Sequence, residues 1–342
     1  MSTLRVGMVG CGSAATGHVY GMAASGQFDI VALAEPSPES LERFRARLPL
    51  LGDVPAFSSA DEMFQAVDLD AVTVVTPHTL HHPIVMSAIK RGLHVLCEKP
   101  LTCEVAHAKE IAEAAEAAGV VVMVRYQRRF DPAYRFMREK IASGELGELR
   151  TIAVTCGQRW QRGTAGTWRQ DPALSGGGML MDSGSHLADM LLWLVDRPVE
   201  SVSALVDQCG SPVDINTSAT VRFAGGVHGQ LTVIGDLAIT WMETVVVSGS
   251  DGLLRYEVDP QHPWRTGRVT FSRDNQIVEP LRLQRGPSEH EAWADAIRGE
   301  GPNLSPPSAG VRVAELTAAI YRSAREGQTV RLDTDADVAL SA

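Results

Sequence analysis

The strongest constraint on what this chain can fold into is a rhythm that fills its first 125 residues. Short apolar runs alternate with longer amphipathic or Ala-rich ones. Leu4–Val9 reads as a strand, followed by an apolar segment to about Ala24 that reads as a helix. Asp29–Ala34 is the next strand, and the segment carrying Arg43, Arg45 and Arg47 the next helix. Asp61–Val67 is helical, and Ala71–Val75 is an unbroken apolar strand, as strands covered on both faces are. Pro83–Arg91 is a helix that stops at Gly92, a residue suited to the left-handed end of a helix. His94–Cys97, the helix Glu104–Ala118 before Gly119, and the strand Val120–Val124 complete the series. Alternation of this kind predicts an α/β fold with a doubly wound parallel sheet.

The first strand–helix turn carries chemistry as well as geometry. Gly10-Cys11-Gly12-Ser13-Ala14-Ala15 is a GxGxxA sequence between a strand and a helix. Gly10 makes the tight turn, Gly12 lets backbone approach a pyrophosphate, and Ala15 allows close helix–strand packing. The unpaired N–H groups at the helix start then face the phosphates. Glu35 ends the second strand, 25 positions after Gly10, where an acid hydrogen-bonds a ribose 2′-OH. Such an acid repels a 2′-phosphate and favours NAD, while Arg43, Arg45 and Arg47 offer an alternative partner for NADP. Ligands of doubly wound sheets bind at the carboxyl ends of strands. The Gly-rich turn, Thr76-Pro77-His78 with His81, and Glu98-Lys99-Pro100 all fall at such ends. Lys99 precedes a proline, which favours extended backbone that projects its side chain; read alone, it equally suits an exposed surface lysine.

Beyond the Arg125–Lys140 connection the pattern changes. Leu149–Gln158, Ser201–Val206, Ser218–Phe223, His228–Ile234, Thr244–Ser248, Leu253–Val258 and Arg268–Ser272 read as strands, several separated by short glycine-containing turns. Short turns predict mostly antiparallel neighbours. A sheet this broad, covered by its own helices on one face, is expected to expose an apolar patch that a second subunit covers. Glu289–Ile297 and Ser308–Ala324 read as helices. Between these segments lies Gly176–Val195, three glycines before an apolar run carrying Asp182, His186 and Asp189. Leu187, Met190, Leu191, Leu194 and Val195 recur with a helical period, and Asp182 and His186, four apart, share one face of a helix. A carboxylate beside an imidazole is the pairing that holds a histidine's tautomer and tunes its proton affinity. By itself the pair also suits a helix-start acid and a core histidine. Trp160–Arg169, with two tryptophans, suits recognition of a hydroxylated ring or plain surface packing.

At 342 residues the chain is long enough for two domains, expected here at 1–125 and 126–342. Its net charge of −10 argues against nucleic-acid binding. No apolar run approaches the roughly 18 residues of a membrane span, and no basic leader precedes the first strand. Five cysteines without a CxxC pair or zinc-ligand spacing suit reduced thiols in a cytoplasmic protein with no metal site.

The motifs GMVGCGSAATGH, VVTPHTLHH, CEKPLT, RRFDPAY, SGELGEL, WRQDPALSGGGMLMDSGSHLADMLLWL and AELTAAIYRSAREGQTV run in this order over nearly the whole chain. Together they resemble the Gfo/Idh/MocA family of sugar and inositol dehydrogenases. The resemblance implies a Rossmann domain followed by an α/β domain with a large open sheet used for substrate binding and oligomerisation. It implies hydride transfer from a secondary alcohol of a sugar, inositol or related polyol to NAD(P). Lys99, Asp182 and His186 match the family's catalytic lysine and Asp-x-x-x-His pair. Gly10, Gly12, Ser13, Ala14, Glu35, Thr76, Pro77, His78, His81, Glu98 and Lys99 are then expected on the cofactor. Lys99, Tyr126, Trp168, Arg169, Asp182 and His186 are expected on the substrate, in a homodimer or homotetramer. Other chemistries remain open on this pattern: a glycosidase that oxidises its sugar transiently with tightly held NAD, and a non-catalytic sugar or nucleotide sensor.

Overall fold

The computed structural model describes residues 2–263, 265–280 and 282–332. The chain forms two compact units: residues up to Tyr126 together with Pro287–Val311, and Gln127–Gly286 together with the residues from Arg312 on. The second domain expected from sequence ends in residues, 333–342, outside those described.

The first unit holds strands β1 (Leu4–Val9), β2 (Phe28–Ala34), β3 (Ala56–Phe57), β4 (Ala71–Val74), β5 (His94–Cys97) and β6 (Val122–Val124). They pair in parallel in the order β3-β2-β1-β4-β5-β6, the doubly wound order of a dinucleotide fold. Between them run α1 (Ser13–Ser25), α2 (Pro38–Arg47), α3 (Ala60–Ala66), α4 (His81–Ile89) and α5 (Val105–Ala118). The strands are mostly apolar because helices cover both faces, with polar residues such as Arg5, Asp29 and His94 at their starts. Met8, Ala15, Val19, Leu33, Phe44 and Val75 form one side's core. The later segment of this unit supplies α10 (Glu289–Arg298), and its backbone extends the edge at β6, where Val124 N–H donates to Ser305 O at 2.8 Å.

The second unit begins with α6 (Pro132–Ala142), β7 (Leu149–Gln158) and two short helices, α7 (Trp160–Gly163) and α8 (Pro172–Ser175). After them come α9 (Ser185–Val195), β8 (Val199–Asp207), β9 (Asn216–Phe223), β10 (His228–Ile234), β11 (Trp241–Gly249), β12 (Leu253–Glu257), β13 (Arg268–Arg273) and β14 (Gln276–Val278). The helix α11 (Pro307–Glu326) leads to β15 (Val330–Arg331). The nine strands lie in the order β14-β13-β12-β11-β7-β10-β9-β8-β15, with β7 and β10 parallel and the other recorded pairs antiparallel. All the strands read from sequence are present; β14 and β15, three and two residues long, carry too little pattern to read.

Alternation along β9 and β10 buries Val221, Phe223, Leu231 and Val233 on the helix-covered face, where Leu191 of α9 meets Gly229. The opposite positions, Ser203, Ser218, Thr220 and Gln230, are exposed. The outer face differs from the expected apolar patch: hydroxyls and amides line its middle, and Leu205 is its largest exposed apolar side chain there, at 78%. A solvent-facing sheet surface keeps β propensity with threonine and serine without a hydrophobic cost.

Candidate functional site

The nucleotide-binding features of the first unit sit where its strands end. Gly10 has φ +92°, and a Cβ there would lie 2.4 Å from the Val75 carbonyl oxygen, so only glycine makes this turn beside β4. Gly12 precedes α1, and a Cβ built on it meets nothing within 4 Å. No side chain caps α1, and Gly12 and Ser13 are exposed, with Ala14 half-buried. The helix therefore offers uncapped N–H donors beside open space, a cradle that fits a pyrophosphate. Glu35 is tied to this turn: its Oε2 accepts Cys11 N–H at 2.9 Å and its Oε1 accepts Ser37 N–H at 3.0 Å. Of the nearby arginines, Arg43 donates to Glu39 at 2.5 Å and Arg45 to the Val54 carbonyl at 2.5 Å. Both guanidinium groups already have acceptors.

Thr76 and Pro77 are half-buried at the end of β4, and His78 is buried. His81 lies wholly inside. Its Nδ1 is 2.8 Å from Pro100 O and its Nε2 is 3.0 Å from Thr76 O, and burial lowers its proton affinity. That imidazole ties the β4 end to the β5 end, so the side-chain contact with a cofactor expected of His81 does not fit its placement.

Glu98 is likewise turned inward. Its Oε1 accepts from Arg125 Nη1 at 2.8 Å and His18 Nε2 at 3.2 Å, and its Oε2 accepts Lys99 N–H at 3.2 Å. Arg125 also donates to Glu289 at 2.8 Å, and His18 Nδ1 lies 3.2 Å from His290 Nε2. A carboxylate only accepts, so His18 carries its proton on Nε2, and its Nδ1 accepts from His290. Burial opposes charge on Glu98, yet Arg125 and His18 hold its carboxyl well below the usual range. Burial pushes His290 down to about 4, with His18 adding to the effect, and lowers His18 too. The result is a buried network behind the half-buried Lys99. Glu98 anchors the backbone of Lys99 in place of the cofactor contact expected of it. Sequence reading missed His18, Arg125, Glu289 and His290. For His18 and Arg125 the available signal was a polar group inside an otherwise apolar segment; Glu289 and His290 lie in a polar stretch that gave none.

In the second unit, residues 180–195 are not one regular helix. Leu180–Gly184 forms a wide π turn, with Gly184 N–H donating to Met179 O at 2.8 Å, and the α-helical part starts at Ser185. Turns of this kind recur at functional sites. Asp182 is buried on that turn; His186 is buried in the first turn of α9. Asp182 Oδ2 accepts Trp160 Nε1–H at 2.8 Å and Arg169 Nε–H at 2.9 Å. The Arg169 guanidinium in turn stacks on the half-buried Trp168, 4.5 Å from its ring centroid. Both N–H groups converge on one oxygen of this carboxylate, one of them from a cationic guanidinium. The Trp160–Arg169 segment is therefore partly the wall of the Asp182 site, with Trp160 buried at the start of α7.

Other charged residues of the same region are structural. Asp189 is gripped by Arg129 at 2.7 and 2.9 Å, and Arg128 pairs with Glu243, which also accepts from Tyr134 at 2.6 Å. Tyr126, expected on the substrate, is fully buried. Asp214, unread in the sequence, accepts from the backbone just before Asp182.

Comparison with known proteins identifies the family. Residues 4–126 match the model of the oxidoreductase family with an NAD-binding Rossmann fold, and residues 134–255 match the GFO/IDH/MocA C-terminal domain. The chain is 30% identical to a 1,5-anhydro-D-fructose reductase from Ensifer adhaerens, over 96% of this chain and 99% of the relative. It is 33% identical to inositol 2-dehydrogenase 4 from Saccharopolyspora erythraea, over 87% and 86%. Among solved structures, the WlbA dehydrogenase from Bordetella pertussis, in complex with NADH and UDP-GlcNAcA, superposes with a TM-score of 0.81 at 26% identity, covering 97% of this chain and 99% of that one. A parallel sheet in dinucleotide-binding order, a Gly-rich turn with an acid tied to it, and sequence matches that span both units lead to one assignment: the chain belongs to the GFO/IDH/MocA oxidoreductase family.

Proposed function

We propose that this protein is an NAD-dependent dehydrogenase acting on a ring-borne secondary alcohol of a sugar, inositol or related polyol. The family assignment supports the reaction class, and its relatives include both a sugar reductase and an inositol dehydrogenase. The observation that carries the residue assignment is the Asp182 carboxylate, buried and held by Trp160 and Arg169 four positions before His186. When bound, NAD+ supplies the hydride acceptor. The first unit, with Gly10, Gly12, Ser13, Ala14, Glu35, Thr76, Pro77 and His78, holds that cofactor. Glu35 selects the ribose 2′-hydroxyl over a 2′-phosphate.

The second unit contributes the acid–base group. His186 takes the hydroxyl proton as the carbinol carbon gives up hydride and the C–O bond becomes C=O. Asp182 orients His186 and stabilises the imidazolium, or holds a neighbouring hydroxyl. Lys99 donates from Nζ to the reacting oxygen and offsets the negative charge that develops there. The stacked Trp168–Arg169 pair offers an aromatic edge and N–H donors, suited to a hydroxylated ring.

The second unit also serves assembly as a homodimer or homotetramer through the outer face of its nine-stranded sheet. The protein works in the cytoplasm, where its five cysteines stay reduced. Among the described residues no helix is long and apolar enough to cross a membrane. The deciding experiment is a screen of NAD+ reduction over inositols, aldoses and sugar acids, with products identified by NMR. Ketone formation with stoichiometric NADH is the expected result. Hydrolysis without net NADH would replace the proposal with the glycosidase chemistry. Binding of sugar or nucleotide without turnover would make the protein a sensor.

A further inference from the structure

The turn that carries Asp182 is held by a residue far away in sequence. Asp214 lies just before β9, buried, 36 positions after Gly178. Its Oδ1 accepts Gly178 N–H at 2.6 Å and its Oδ2 accepts Leu180 N–H at 2.8 Å. Its own carbonyl oxygen accepts Met179 N–H at 2.9 Å. Three consecutive N–H groups thus end on one residue. They are the donors that the start of a helix leaves without an intrahelical partner. Behind the carboxylate, Tyr321 of α11 donates its hydroxyl to Asp214 Oδ1 at 2.6 Å.

The glycines around this contact are shaped to it. A Cβ on Gly178 would lie 1.9 Å from the Asp214 carbonyl oxygen, and a Cβ on Gly177 would lie 2.5 Å from the Tyr321 hydroxyl. Two residues of the Gly176-Gly177-Gly178 run therefore exist to let this clamp close. Asp182 N–H donates to Gly178 O at 2.9 Å, so the clamped residues are the base on which the Asp182 turn is built.

We propose that Asp214, braced by Tyr321, is a positioning residue for the dehydrogenase reaction: by clamping residues 178–180 it sets where Asp182 and His186 stand. The inference rests on the catalytic reading given above. Asn at position 214 keeps the shape but replaces one acceptor oxygen with an NH2 group, which faces a backbone N–H donor instead of accepting from it. Displacement of catalytic groups by about 1 Å costs on the order of 100-fold in rate.

The test compares Asp214→Asn, Tyr321→Phe, His186→Ala and Asp214→Asn/His186→Ala in the full-length protein. The readouts are kcat and KM for the best polyol found in the screen, and NAD+ affinity by fluorescence titration. Asp214→Asn is expected to lower kcat by about 30- to 100-fold and Tyr321→Phe by about 3- to 10-fold, with NAD+ affinity within about twofold of wild type. The double variant should be no slower than His186→Ala alone, because both changes act through one group. If His186→Ala is inactive while both clamp variants keep wild-type kcat, the clamp is overturned and the catalytic reading stands. Full additivity in the double variant also overturns the clamp. If His186→Ala keeps wild-type kcat, the catalytic reading fails, and the clamp's proposed role fails with it. Should Asp214→Asn not fold, Tyr321→Phe decides: a wild-type kcat in that variant overturns the proposal.

Discussion

Lys99 and His186 could be proposed from sequence because each sits in a motif whose chemistry is local: a lysine before a proline at a strand end, and a histidine four places after an acid. If they act as proposed, Lys99→Met and His186→Ala should each lower kcat by about 10²–10⁴-fold. NAD+ affinity, measured by fluorescence titration, should stay near wild type, and the two losses should fall short of additive. An early thermal melt of His186→Ala with kcat retained would make the histidine a packing residue. Glu35 carries a second expectation at this scale: kcat/KM should be higher with NAD+ than with NADP+. Glu35→Ala should narrow that preference, although it also removes the acceptor for Cys11 N–H. Glu98 and His81 taught the opposite lesson. Their sequence context matches that of Lys99, yet both are buried and engaged by protein groups. Which way a side chain points from a strand end is decided by the partners waiting inside, and some of those, such as Arg125 and His18 for Glu98, are distant in sequence.

Elements carry the network around Glu98. The helix α10 starts with a capping box, Ser288 and Glu291, and delivers Glu289 and His290 to Arg125 and His18. A Cβ on Gly21 of α1 would meet the His290 ring at 2.3 Å, so the two helices touch through that glycine. The network makes folding depend on pH. The folded-state pKa of His290, about 4, lies below its ordinary 6.5, so the unfolded chain binds more protons between those values. Stability therefore rises with pH across that window and falls on acidification from about 6.5 to 4. Glu98 and Glu289, also held low, withdraw their contribution as the pH falls further. Urea midpoints measured from pH 7.5 to 4.5 should drop on acidification, and His290→Gln should flatten the slope. An unchanged slope in that variant would remove His290 from the network's titration. The glycine run offers a second check: Gly178→Ala should cost at least about 1–3 kcal/mol in urea unfolding, the scale of an overpacked contact. The helical period in 187–195 was legible, but the π turn before it was not. No spacing rule announces a turn held open by Asp214.

For the whole molecule, the nine-stranded sheet leaves one broad face without helices. Sedimentation at micromolar protein should show a dimer or tetramer; a species near the chain's own 36.8 kDa would refute the proposed assembly. A Thr220→Arg/Gln230→Glu pair on that face should shift the distribution toward monomer if the face is the contact. Its hydroxyl-rich middle is compatible with this, since interfaces are on average little more apolar than the remaining surface.

Local pattern determined much of this protein. Strand–helix alternation set the Rossmann unit, β-branched runs between glycine turns set most of the second sheet, and short motifs marked the turn, the lysine and the Asp–His pair. The readings of strands and helices succeed because backbone geometry and burial repeat with a period of two or 3.6 residues and so print themselves in neighbouring positions. The tertiary structure decided the rest. It returned Pro287–Val311 to the first unit, turned Glu98 and His81 inward, and set Trp160 and Arg169 on Asp182. It also brought Asp214 and Tyr321 to the glycines before Asp182. Each of these is a pairing of polar groups between distant segments. A buried donor or acceptor must find a partner, but which one it finds depends on the packing that brings the segments together.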